Sequence, residues 1–82
     1  MMRVPTVAAE GGFYVRVFTR DGGEPHVHVA FGGKLIKVFL SPVERDGSHD
    51  RGYPTSSEIA AALRIVQKHR GACLAKWKEI YG

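Results

Sequence analysis

The dipeptide Gly32-Gly33 stands between two apolar-rich runs, His26 to Phe31 and Lys34 to Phe39, in the stretch EPHVHVAFGGKLIKVF. Two residues is the length of a type I′ or II′ hairpin turn, and such turns need positive φ angles that glycine adopts without steric cost. That turn implies a register: Phe31 with Lys34, Ala30 with Leu35, Val29 with Ile36, His28 with Lys37, Val27 with Val38 and His26 with Phe39. Successive strand side chains point to opposite faces. Val27, Val29, Ile36 and Val38 therefore share a core face, while His26, His28, Lys37 and Phe39 share the outer one.

The neighbouring segments extend the same pattern. Val4 to Val7 is a short β-prone run, Glu10-Gly11-Gly12 is a tight turn, and Phe13 to Thr19 is a strong strand. Phe13, Val15 and Val17 alternate with Tyr14, Arg16 and Phe18, so the second set joins the histidines on the outer face. The turn formers of RDGGEP, residues 20 to 25, connect this strand to the hairpin. SPVERDGSHDRGY, residues 41 to 53, mixes turn formers with charges of both signs and predicts a mobile polar loop.

After Pro54 the period changes. Thr55, Ser56 or Ser57 can cap a helix, with Glu58 spaced to close a capping box with Thr55, and Ile59, Leu63, Val66, Cys73, Trp77 and Ile80 form an apolar stripe with a longer step around Arg70-Gly71. Glycine weakens a helix interior by about 1 kcal/mol relative to alanine, so a kink or hinge is expected at Gly71. Cys73 and Trp77 fall on the stripe and read as core. Together these signals predict an α+β fold in a single domain spanning 1–82. An antiparallel β-meander of three to four strands (4–40) leads through a polar loop (41–54) to a helical segment (55–81), one kinked helix or two helices, packed on one sheet face.

Composition limits the function classes. A chain of 82 residues buries a small core, which disfavours a large enzyme pocket. The net charge of +4 favours an anionic partner such as RNA, DNA or an acidic protein surface. Arg64, Lys68, Arg70, Lys76 and Lys78 outnumber Glu58 and Glu79 in the helical half, as expected of a solvated amphipathic face. The single Cys73 rules out an internal disulfide framework and fits a reducing compartment. The chain contains no apolar run of membrane-spanning length and Met1 opens no signal-like segment, so a cytoplasmic protein is expected.

The PHVHV stretch, Pro25 to Val29, carries the candidate chemistry. Tyr14, Arg16, Phe18, His26, His28, Lys37 and Phe39 together offer the aromatic and cationic groups that stack bases and meet phosphates. Catalysis is a second reading, with His26 and His28 as general base and acid on an RNA 2′-hydroxyl and Lys37 steadying a phosphate. A metal site is a third, since His-x-His on a strand presents two nitrogens to one ion. Its possible supplements, His49, Asp50, His69 and Cys73, stand at no recognisable ligand spacing, and nothing in the chain calls for a cofactor. On a purely structural reading both histidines are solvent-side residues of the sheet.

Pro5-Thr6-Val7, the Gly-Gly-aromatic strand, EPHVHV, the basic-apolar strand ending at Leu40 and the closing KHR…LAKWKEIYG resemble the bacterial Domain of Unknown Function 4160 family across nearly the whole chain. Gly71 and the Gly-Ser-His-Asp-Arg-Gly character of the loop depart from the family's usual pattern. Members look like halves of small two-gene modules similar to toxin–antitoxin pairs, and no biochemical activity comes with the name. The resemblance implies a small protein partner encoded by a neighbouring gene. Homo-oligomers are compatible with it, and a histidine-dependent ribonuclease or metal-binding domain is the alternative.

Overall fold

The computed structural model describes residues 5–19 and 22–82. The predicted strand start at Val4 and the Arg20-Asp21 part of the predicted turn lie outside the described residues. The elements run β1 (Thr6–Glu10), β2 (Phe13–Arg16), β3 (His26–Phe31), β4 (Lys34–Leu40), β5 (Val43–Arg51), α1 (Ser56–Lys68) and α2 (Arg70–Tyr81). The strands form an antiparallel sheet in the order β1-β2-β3-β4-β5, a meander in which every neighbour in space is a neighbour in sequence. The fold is α+β as expected, with more strands than the three or four predicted.

The β3–β4 hairpin has the register that its glycine turn implies, from Phe31–Lys34 to His26–Phe39. Gly32 and Gly33 adopt φ of 49° and 76°, and Gly11 and Gly12 make a second positive-φ turn between β1 and β2. Val15, Val27, Val29, Ile36 and Val38 pair across β2, β3 and β4 and are fully buried. Burying one such side chain stabilises the fold by about 1.5–3 kcal/mol before entropy is charged against it.

The segment predicted as a polar loop is instead strand β5, the edge of the sheet. An edge strand needs only one hydrogen-bonded ladder and little buried surface, so a polar, charged sequence can fill it and also discourage pairing with other chains. Leu35 pairs with Arg51 and Lys37 with Asp46, which leaves Gly47 to Asp50 bulged opposite Ile36. The Arg45 guanidinium grips the Asp50 carboxylate across the bulge, and Asp46 Oδ1 accepts from Ser48 Oγ at 2.7 Å. Ser41-Pro42, joined by a cis peptide bond, turns β4 into β5.

Helix α1 begins on the expected capping box. The Glu58 amide donates to Thr55 Oγ1 and the Thr55 amide donates to Glu58 Oε1. The helical segment is two helices, and the break lies at His69, ahead of the predicted hinge at Gly71. Tertiary contacts set that corner: His69 Nε2 lies 2.9 Å from Glu10 Oε2, and Arg70 Nε donates to the Leu40 carbonyl oxygen at 2.6 Å. Gly71 sits inside α2 with an ordinary helical φ.

Ala62, Ile65 and Val66 of α1 and Cys73 and Trp77 of α2 join the sheet valines in one core. Lys34 reaches Glu58 at 2.6 Å from the face that carries Phe31 and Val29, so α1 lies on the valine face. Contact is not confined to that face, because Trp77 also lies against His26 and the Tyr81 hydroxyl donates to the Phe18 carbonyl oxygen.

A candidate binding face on the outer side of the sheet

Strand pairing assembles the outer face in cross-strand rows. Arg16 pairs with His28, His28 with Lys37, and Lys37 with Asp46, so one row of four side chains crosses β2 to β5. His28 is thus flanked by a cation on each side. In the next row His26 pairs with Phe39 and Phe39 with Glu44. The residues expected to gather on this face, Tyr14, Arg16, Phe18, His26, His28, Lys37 and Phe39, do gather there.

Their exposure differs from the expectation for the histidines. His26 and His28 are only 3% and 7% exposed, which corrects the reading of both as solvent-side residues. They lie on the middle strand of the sheet, and rings close over them. Phe18 stacks on His28 with centroids 4.0 Å apart, His28 meets His26 edge-on at 5.3 Å, and His26 meets Trp77 at 5.1 Å. Trp77 in turn packs on Tyr81 at 4.2 Å. The Nδ1 atom of His26 is 2.7 Å from the Glu24 carbonyl oxygen, which orients that ring.

The accessible part of the face carries aromatic and basic groups together with the carboxylates of Glu44 and Asp46 on β5. Tyr14 is 44% exposed with the Arg16 guanidinium 5.5 Å from its ring centroid, a cation–π arrangement. Lys37 Nζ lies 5.2 Å from the centre of the Phe39 ring and 3.8 Å from Asp46 Oδ2. The Asp46 carboxyl is held below its ordinary range, chiefly by the Ser48 hydroxyl and more weakly by His49 and Lys37.

The other suggested ligands are not brought to the histidines. His49 and Asp50 lie on the β5 bulge, where His49 Nδ1 is 3.1 Å from Asp46 Oδ2 and Asp50 is held by Arg45. His69 is bound to Glu10 at the helix corner, and Cys73 is buried in the core. Among the described residues no group of three or more His, Cys, Asp or Glu side chains is placed to hold a metal ion.

Sequence reasoning missed the β5 members of the outer face. Glu44, Asp46 and Arg51 were hidden because β5 reads as a loop; the pairings of Phe39 with Glu44, Lys37 with Asp46 and Leu35 with Arg51 bring them in. The contacts of Trp77 and Tyr81 with the Phe18–His28–His26 ring cluster were also missed, since an apolar helical stripe does not say which strand residues it will meet.

An antiparallel five-stranded meander followed by two helices, with a basic and aromatic outer row, defines a small α+β domain. No helix among the described residues is long and apolar enough to cross a membrane. The chain belongs to the DUF4160 family, a domain of unknown function, which it matches over residues 12–78, from the β1–β2 turn to the last turns of α2. No curated protein and no solved structure matches the chain.

Proposed function

We propose that the chain is a non-catalytic cytoplasmic binding protein, one half of a two-gene module of toxin–antitoxin type, which holds its partner on the outer sheet face. The observation that carries this reading is the row in which Arg16 and Lys37 flank the buried His28. A packed imidazole between two strands spaces two cations rigidly, and such fixed positive charge suits an anionic surface on a partner protein or a nucleic acid. Burial of both imidazoles also argues for binding over acid–base catalysis, since a general base must reach its substrate.

Co-expression with the product of the neighbouring gene tests the proposal. The parent chain should co-purify with that product, and Arg16→Glu combined with Lys37→Gln should abolish the association while the thermal melt stays near that of the parent. Undiminished co-purification of the folded double variant would remove the outer face from the interaction. RNA cleavage that survives chelator and is lost in His28→Asn would replace binding with the ribonuclease alternative.

A further inference from the structure

Two residues before Arg16 on β2, Tyr14 opens another row. Tyr14 pairs with Ala30, Ala30 with Leu35, and Leu35 with Arg51, which sets these four side chains side by side on the outer face. Tyr14 and Arg51 are exposed, an aromatic ring and a guanidinium, with half-buried Ala30 and Leu35 between them and Ala9 of the edge strand β1 beyond Tyr14. Among the described residues no carboxylate pairs with Arg16 or Arg51, whereas Lys37 has Asp46 at 3.8 Å.

Neighbouring strands lie about 4.8 Å apart, so Tyr14 and Arg51 are separated by roughly 14 Å across three strand intervals. Arg16 lies two residues along β2 from Tyr14, so its guanidinium and that of Arg51 stand on either side of this span. A polyanion crossing the strands meets both, and the apolar, aromatic surface between the cations is the part of the face that a simple acidic peptide leaves unused. Bases have flat π-faces suited to it, and these are free to stack on a side chain only where the nucleic acid is unpaired. Resting on the reading of the outer face as the binding surface, we infer that this face binds a single-stranded polynucleotide. A base stacks on Tyr14, and successive phosphates meet Arg16, Lys37 and Arg51.

Fluorescence anisotropy with short labelled oligonucleotides tests this on the full chain, with single-stranded RNA, single-stranded DNA and a duplex of the same sequence compared over a salt series. Single strands should bind more tightly than the duplex. Three phosphate contacts at roughly 0.7 each predict a slope of about −2 for the logarithm of affinity against that of salt. Tyr14→Ala should weaken binding by about fivefold to a hundredfold, and Arg51→Gln should reduce the slope by roughly 0.7. Both residues are exposed, so both variants should melt like the parent. Preference for the duplex, a slope near zero, or full affinity in Tyr14→Ala would overturn the inference. If all oligonucleotides fail while the neighbouring gene's product is still captured through Arg16 and Lys37, the polynucleotide is eliminated and the face remains a protein-binding surface. Failure of both eliminates both.

Discussion

Phe18 lies nearly parallel to His28, with ring centroids 4.0 Å apart and planes inclined by 11°. The imidazole is therefore a packing element, enclosed by Phe18 on its face, by His26 at its edge and by Arg16 and Lys37 along its row. Replacing it with alanine leaves a cavity and removes a stacked pair, so His28→Ala should destabilise the fold by about 2–3 kcal/mol. Urea unfolding measures the change. A loss below about 1 kcal/mol would match the behaviour of a solvent-facing residue.

Two glycines should respond to alanine with opposite signs. At Gly71 an added Cβ meets nothing within 4 Å and the backbone is helical, so Gly71→Ala should raise stability by about 0.4–1 kcal/mol. Gly52 has φ of 79°, and its Cβ would come within 2.9 Å of the Gly33 carbonyl oxygen and of Lys34 Cγ. Gly52→Ala should therefore cost more than about 1 kcal/mol. Thermal melts of the two variants check both signs, and destabilisation by Gly71→Ala would return the hinge to that residue.

Glu58 joins α1 to the β3–β4 hairpin, and its carboxyl is held below the ordinary value of 4.5, first by the Lys34 ammonium and next by the Thr55 amide. A carboxyl with a depressed folded-state pKa binds protons more readily in the unfolded chain. Its contribution is therefore present above the ordinary carboxylate pKa and is lost as pH falls through the lower folded value. Glu10, held down by His69 and then Lys68, behaves the same way. The melting temperature should fall below about pH 4.5, and Glu58→Gln should flatten part of that fall. An unchanged acid profile in the variant would show that the Lys34–Glu58 contact adds nothing in solution.

Burial pushes the Cys73 thiol up to about 11. Because the thiolate is the reactive form, the folded protein should resist alkylation near neutral pH and react readily once unfolded. Mass spectrometry after iodoacetamide treatment, with and without denaturant, reads the difference. Rapid modification of the native chain would mean that the α2 face opens away from the sheet.

Local signals were legible wherever a few adjacent residues carried the physics. Gly32-Gly33 set the whole β3–β4 register through its turn, and the capping-box spacing of Thr55 and Glu58 picked out the cap that α1 uses from among Thr55, Ser56 and Ser57. The candidate face was legible as a membership, because alternation alone assigns Tyr14, Arg16, His26, His28 and Lys37 to one side. Its accessibility was not, because alternation does not report what covers a side chain. Strand β5 was illegible for a related reason: at an edge, pairing with β4 sustains a strand that its own charged and turn-forming residues do not announce.

Side-chain period, turn conformation and capping thus follow from residues a few positions apart, and for this chain they determine the valine face, the hairpins and the first helix. The burial of His26 and His28, the corner at His69 and the row from Arg16 to Asp46 depend on partners far away in sequence: Phe18 and Trp77 for the histidines, Glu10 for His69, and β5 for the row. Such contacts exist only once the meander has closed and the helices have packed. The free energy of burying a ring or pairing a charge comes from the neighbours assembled around it, and tertiary structure alone supplies them.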